Sequence, residues 1–196
     1  MPKLILAAAT TLLLGANTLH SEDLDKYGDV QFTYSDDPAA VVLFVNVLNL
    51  MANISHSATL YGDGRIELQV RHAGTNTLME EYEITITSEK VHALLREVVH
   101  HGLAEWDGAS VHARQLRLTS GHGYASPSDS LRVAVVLALD SYSRASYSQK
   151  NIERTIRVRG PSHGANLFPE IVELEGVKKL QVWAMTLIQG EQEKKQ

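Results

Sequence analysis

The sequence predicts an α+β fold, a mainly antiparallel sheet with two helical segments packed on one face. Three observations predict it. Gly62-Asp63-Gly64 separates two runs in which apolar and polar residues alternate, the pattern of a hairpin whose tip needs φ > 0. Glu81 to Thr87 alternates again, with Tyr82, Ile84 and Ile86 on one side and Glu81, Glu83 and Thr85 on the other, as a half-buried strand does. Ser88 then caps a segment whose residues Val91, Leu94, Leu95, Val98 and Val99 form the i, i+3, i+4, i+7, i+8 stripe of a helix with one buried face.

The length of the hairpin loop decides which side chains share a face. A two-residue turn at Asp63-Gly64 pairs Tyr61 with Ile66 and leaves Leu60 outside. A three-residue loop with Gly64 left-handed pairs Leu60 with Ile66 and Ala58 with Leu68. The second gathers the aliphatic residues on one side and is the expected register, because a one-residue slip exchanges the faces. Gly102 ends the helix, with His100 and His101 in its last turn, where positive charge is favoured, and with Leu103 able to fold back on Val98.

Tyr61 to Arg65 and Ser88 to Leu103, a Tyr-Gly-Asp-Gly-Arg hairpin followed by a strand and a capped helix with a Gly-Leu exit, resemble the small secreted bacterial domains of unknown function. The resemblance covers about a quarter of the chain. It implies an α+β fold and an exported location, and no activity.

The remaining elements follow in chain order. At 196 residues and 44% hydrophobic, the chain is long enough for one full core. Met1-Pro2-Lys3, the apolar run Leu4 to Leu14 and then Gly15-Ala16 have the order of a secretory signal peptide over 1–16, with cleavage expected between Ala16 and Asn17. A membrane anchor is the competing reading, but the run is well short of the ~20 apolar residues of a span. A flexible leader is expected over 17–29, a single α+β domain over 30–189 and a disordered tail over 190–196. The chain has no cysteine, so no disulfide scaffold and no lipidated cysteine is available. Its formal charge of −5 argues against general binding to nucleic acid or to an anionic membrane, a local basic patch aside, and no membrane span is expected after signal removal.

Val30 to Tyr34 alternates as an edge strand would. Val41 to Leu48 is apolar at both parities, as in a strand covered on both faces; a buried helix competes, and β-branched content favours the strand. Val111 to Leu118 reads as a short helix, with a strand as the alternative. Thr119 to Ser130 is a loop of Gly, Ser, Pro and Asp. Leu131 to Leu139 looks like a central strand, and Ile152 to Val158 returns with Ile152, Ile156 and Val158 on one face. The connection Asp140 to Asn151 is longer than usual hairpin loops. Gly160 to Gly164 breaks the chain before a closing helical region, with Pro169 near its start, Gly176 dividing or bending it, and Leu180, Trp183, Ala184, Leu187 and Ile188 as its docking stripe.

Chemical signatures are weak. The nine histidines lack metal spacing: His92 and His100 are two turns apart, and His100-His101 point in different directions, so neither a metal nor a cofactor is expected. There is no GxSxG turn, and Gly108-Ala109-Ser110 does not supply one. Asp36-Asp37 and Glu80-Glu81 are adjacent, as solvated turns and strand margins often are. The least bland surface is Tyr142, Arg144, Tyr147 and Lys150 with Arg157 and Arg159, since tyrosine and arginine are efficient contact residues for a polyanionic glycan or a protein. A flexible, soluble loop explains the same composition. The expectation is therefore an exported, non-catalytic envelope or extracellular binding module, secreted or periplasmic. The alternative is a small secreted hydrolase using His122, Asp129 or His163.

Overall fold

The computed structural model describes residues 30–120, 131–145 and 147–195. The expected signal peptide, the leader and nearly all of the loop at 119–130 lie outside the described residues. The strands are β1 (Val30–Thr33), β2 (Val41–Asn49), β3 (Ile54–Tyr61), β4 (Arg65–His72), β5 (Thr77–Thr85), β6 (Arg132–Arg144) and β7 (Tyr147–Arg159). The helices are α1 (Ser88–His100), α2 (Gly108–Leu118), α3 (Pro161–Leu167) and α4 (Val172–Glu193), with a 3₁₀ turn at Leu103–Glu105. Every strand pair is antiparallel, and the order across the sheet is β7-β6-β2-β3-β4-β5, with β1 pairing the far half of β6. The fold is α+β, as the sequence predicts.

The hairpin adopts the three-residue register. Leu60 opposes Ile66 and Ala58 opposes Leu68, and Gly64 has φ 89°. That register extends across the sheet, because side chains alternate faces with period two. One row runs Ile156, Val135, Val45, Ala58, Leu68, Tyr82 and the next runs Arg154, Leu137, Leu43, Leu60, Ile66, Ile84. These rows form the covered face. Val91, Leu95, Val98 and Val99 of α1 and Val177, Leu180, Ala184 and Ile188 of α4 share one continuous buried cluster with them. Among the described residues, no helix is long and apolar enough to cross a membrane.

Besides the N-cap of α1, which is Thr87 rather than Ser88, four elements differ from the sequence expectation, each for a physical reason. The expected long connection at Asp140 to Asn151 is strand: β6 and β7 continue to Arg144 and Tyr147, paired throughout their ends. At Asp140 and Asn151 the alternation changes phase, with Asn151 at φ 50°, so Tyr142 follows Leu139 onto the covered face. A phase change within a strand reads, in one dimension, like the end of the strand. Secondly, β5 starts at Thr77 rather than Glu81, through an irregularity at Val70/Arg71. Thirdly, Pro161 rather than Pro169 opens a helix, the short α3, and α4 runs unbroken through Gly176. Finally, the expected disordered tail is helical to Glu193, where Gln192 Nε2 donates to Glu80 Oε2 at 3.0 Å and Lys195 lies 4.0 Å over the Tyr82 ring.

Gly176 is therefore a packing residue. A Cβ there would lie 2.5 Å from Leu103 Cδ1 and 2.7 Å from His101 Cβ, so its absence lets α4 close on the chain leaving α1. Gly190, in the same helix, has nothing within 4 Å of such a Cβ. Gly190→Ala should raise the unfolding free energy by up to ~1 kcal/mol through helix propensity. Gly176→Ala should lower it by about 1–2 kcal/mol, because overpacking outweighs that gain. Urea denaturation of both variants checks this, and equal stabilisation would contradict the close contact.

Candidate binding face

The opposite face of the sheet is built from the other parity of the same strands. Among the described residues, no helix packs on it: the core residues of α1 and α4 join the covered rows, and α2 and α3 contribute to a second cluster with Phe168, Ile171 and Leu174 that touches Val158, which shares the parity of Ile156 on the covered face. The open face carries Arg157, Ala134, Asn46, Ser57, Gln69 and Glu81 in one row, and Arg159, Arg132, Leu48, Ser55, Arg71 and Leu78 in the next. Its middle is small and polar, with Asn46 Nδ2 donating to Ser55 Oγ at 2.8 Å.

Its charge is unevenly distributed. Arg132 and Arg159 are direct cross-strand partners, and Arg157 sits two residues along β7 opposite Ala134. All three arginines are exposed. Like charges directly opposite in a sheet repel each other. Among the described residues, Arg132 and Arg157 have no ion-pair partner. The three arginines, with Asn46, Leu48 and Ala134, line an open cavity of about 390 Å³.

Toward the Gly-Asp-Gly end of β3 and β4 the charges are compensated instead. Arg65 pairs with Glu67, approaches Glu83 at 3.8 Å, reaches the Pro38 carbonyl at 3.1 Å and stacks 3.8 Å over the Tyr61 ring. Tyr61 donates to Glu67 Oε2 at 3.0 Å, and burial followed by that bond pushes its phenol upward.

The structure divides the surface residues singled out in the sequence. Arg157 and Arg159 lie on the open face. Tyr142, Arg144 and Tyr147 lie on the other side, at the tip of the β6–β7 hairpin. Tyr142 is 1% exposed and its hydroxyl donates to Glu105, which Arg144 approaches at 3.4 Å; burial above all, then the Glu105 bond, pushes this phenol up. Tyr147 donates to Gln149 Oε1 at 2.6 Å, which also accepts from Arg154, and Arg154 Nε reaches the Ala104 carbonyl at 2.9 Å. These side chains clamp the 3₁₀ turn to the sheet. Of the alternative hydrolase residues, His163 lies on α3, while His122 and Asp129 fall outside the described residues. His92 stacks on Phe32 with ring centroids 4.8 Å apart. Arg132, Asn46 and Leu48 were not anticipated; the outward parity of Arg132 with Ala134 and Val136 is the signal that points to them.

A second polar group sits on the covered face, beneath the end of α4. His56 opposes Val70, which opposes Glu80. Glu80 accepts from Tyr82 at 2.5 Å and from Gln192 at 3.0 Å, and these bonds, Tyr82 first, hold it below the usual carboxylate range. The His56 Nδ1 atom is buried without a partner, and burial holds the imidazole below its ordinary value against the pull of Glu80.

No protein-family model matches this chain, and no curated protein matches it.

The His56 environment makes stability depend on pH. Its folded-state pKa is depressed, so the unfolded chain takes up the proton first and stability falls as pH drops below about 6.5, the unperturbed histidine value. Denaturation midpoints measured downward from about pH 8 should decline through that range. His56→Gln should decline less, with a residual slope from His100, whose pKa burial also lowers. Parallel curves for the two proteins would contradict the assignment.

Proposed function

We propose that this chain is an exported, non-catalytic binding module of the cell envelope or extracellular space, and that Arg132, Arg157 and Arg159 hold its anionic partner. The observation that carries this reading is the gathering of three exposed arginines on the open face, two of which, Arg132 and Arg157, have no ion-pair partner among the described residues, around a cavity with both amide and apolar walls. Guanidinium groups match phosphate, sulfate and carboxylate oxygens in two-point hydrogen bonds. Adjacent strands fix the backbone spacing of the three, so less entropy is lost on binding than from a flexible loop.

Export rests on the order of Met1 to Ala16, a short apolar run ending in small residues. The likeness of Tyr61 to Arg65 and Ser88 to Leu103 to small secreted bacterial domains supports the same location. In its native cells the mature protein is then expected outside the cytoplasm with Asn17 at its N-terminus, as intact mass would report.

The binding reading is tested with the mature chain on an immobilised soluble polyanion, dextran sulfate. Retention should weaken as salt is raised, because exposed charges are screened. Arg132→Ser with Arg157→Ser should weaken binding about tenfold, equivalent to roughly 1.4 kcal/mol over two contacts. Glu81→Gln with Glu83→Gln should not weaken it. Equal retention by the arginine variant and the wild type would contradict the assignment.

A further inference from the structure

We propose that the surface presenting these anionic groups is a phospholipid bilayer, onto which the β2–β3 end of the sheet docks with Leu50 and Met51 entering the interface. This inference rests on the arginine patch being the anion-binding site, and adds its ligand source and orientation.

The second observation is apolar. Leu50 is 43% exposed and Met51 77% exposed, at the turn joining β2 to β3. The turn is preformed: Ala52 N–H donates to Asn49 Oδ1 at 3.0 Å, Asn53 N–H reaches the Leu50 carbonyl at 3.3 Å, and Asn53 holds φ 54°. It is also braced from the side, because Ala73 N–H donates to the Asn53 carbonyl at 2.8 Å and Asn53 Nδ2 contacts His72 Nε2 at 3.1 Å. At the same end, β5 opens with Leu78 and Met79, 42% and 54% exposed.

The apolar tip and the arginines belong to one end of the sheet. Leu48 is the partner of Arg132, which is the partner of Arg159, and Met51 follows Leu48 by three residues. At a strand rise of ~3.3 Å per residue, the guanidinium level sits up to about 10 Å behind the tip. Interfacial segments bury their apolar side chains ~5–10 Å into the headgroup and acyl boundary. With Met51 at that depth, Arg132 and Arg159 lie at the level of the phosphates. The row nearest the tip, Arg159, Arg132, Leu48, Ser55, Arg71 and Leu78, holds no carboxylate; Glu81 is one row back and Glu67 two. On the open face, the described row nearest the tip is therefore cationic, although the chain as a whole has a formal charge of −5. A polyanionic glycan would use the arginines but gain nothing from Leu50 and Met51. A two-residue tip is also far smaller than the ~1,200 Å² of a stable protein interface.

The experiment is cosedimentation of the mature chain with vesicles of phosphatidylcholine alone or mixed with phosphatidylglycerol. Binding is expected only to the mixed vesicles and should fall as salt is raised. Leu50→Ser with Met51→Ser should weaken vesicle binding about tenfold, with unchanged retention on dextran sulfate and an unchanged thermal midpoint, since both side chains are exposed. Arg132→Ser with Arg157→Ser should weaken both. Met51→Trp fluorescence should shift to the blue with mixed vesicles only. Dextran sulfate retention without vesicle binding, or vesicle binding indifferent to Leu50 and Met51, overturns the inference and leaves the arginine site standing. Loss of neither binding mode in the arginine variant overturns both.

Discussion

The register of β3 against β4 is the constraint on which the rest of the structure depends. It is set at Gly64, whose φ of 89° favours glycine, and it is locked by neighbouring backbone. Ile86 N–H donates to the Gly64 carbonyl at 2.9 Å, and Gly62 N–H donates to the Ala40 carbonyl at 3.0 Å. A Cβ at Gly62 would lie 2.0 Å from the Ser35 carbonyl oxygen, and one at Gly64 would lie 2.3 Å from that of Ile86. The hairpin tip is thus clasped on two sides by main chain. A slip by one residue would bring Glu67 and Gln69 under the helices and expose Leu68 and Val70.

From that lock the two faces acquire opposite characters. The covered face carries an apolar row across six strands, from Ile156 to Tyr82, and receives α1 and α4, which Lys179 and Glu97 also join by an ion pair. The open face receives none of the described helices, so it can bear charges that a core could not tolerate. The two ends of the sheet differ as well. The Gly-Asp-Gly end is closed by the segment from Ser35 to Ala40, while the Leu50–Met51 end projects exposed side chains. Burial on one face, closure at one end and a cation cluster near the other give the molecule a direction.

Much of this was legible in the sequence, and the reasons are local. The hairpin register followed from the parity of Leu60, Ile66 and Leu68, and α1 from the spacing of Val91, Leu95 and Val98, because one face of each element carries the whole signal. The break expected at Gly176 failed because a glycine between helical residues looks the same whether it ends a helix or admits a neighbour; Leu103 and His101 decide the matter from more than seventy residues away. The expected contact set of Tyr142, Arg144, Tyr147, Arg157 and Arg159 came apart because the phase change at Asp140 and Asn151 sends its two halves to opposite sides. Arg132 escaped notice since it meets Arg159 only through the pairing of β6 with β7.

The division into a covered and an open face is most directly tested on β7 with single cysteines, which the cysteine-free chain makes unambiguous. The measurement is the rate of thiol labelling in the native protein for Ile152→Cys, Thr155→Cys, Ile156→Cys and Arg157→Cys. Ile152 and Ile156 are 2% and 0% exposed, so cysteines there should react only as fast as the protein opens, while those at 155 and 157 should react at close to the rate of the unfolded chain. Comparable rates at 155 and 156 would mean that the sheet does not separate a buried face from a free one, and the account would be wrong.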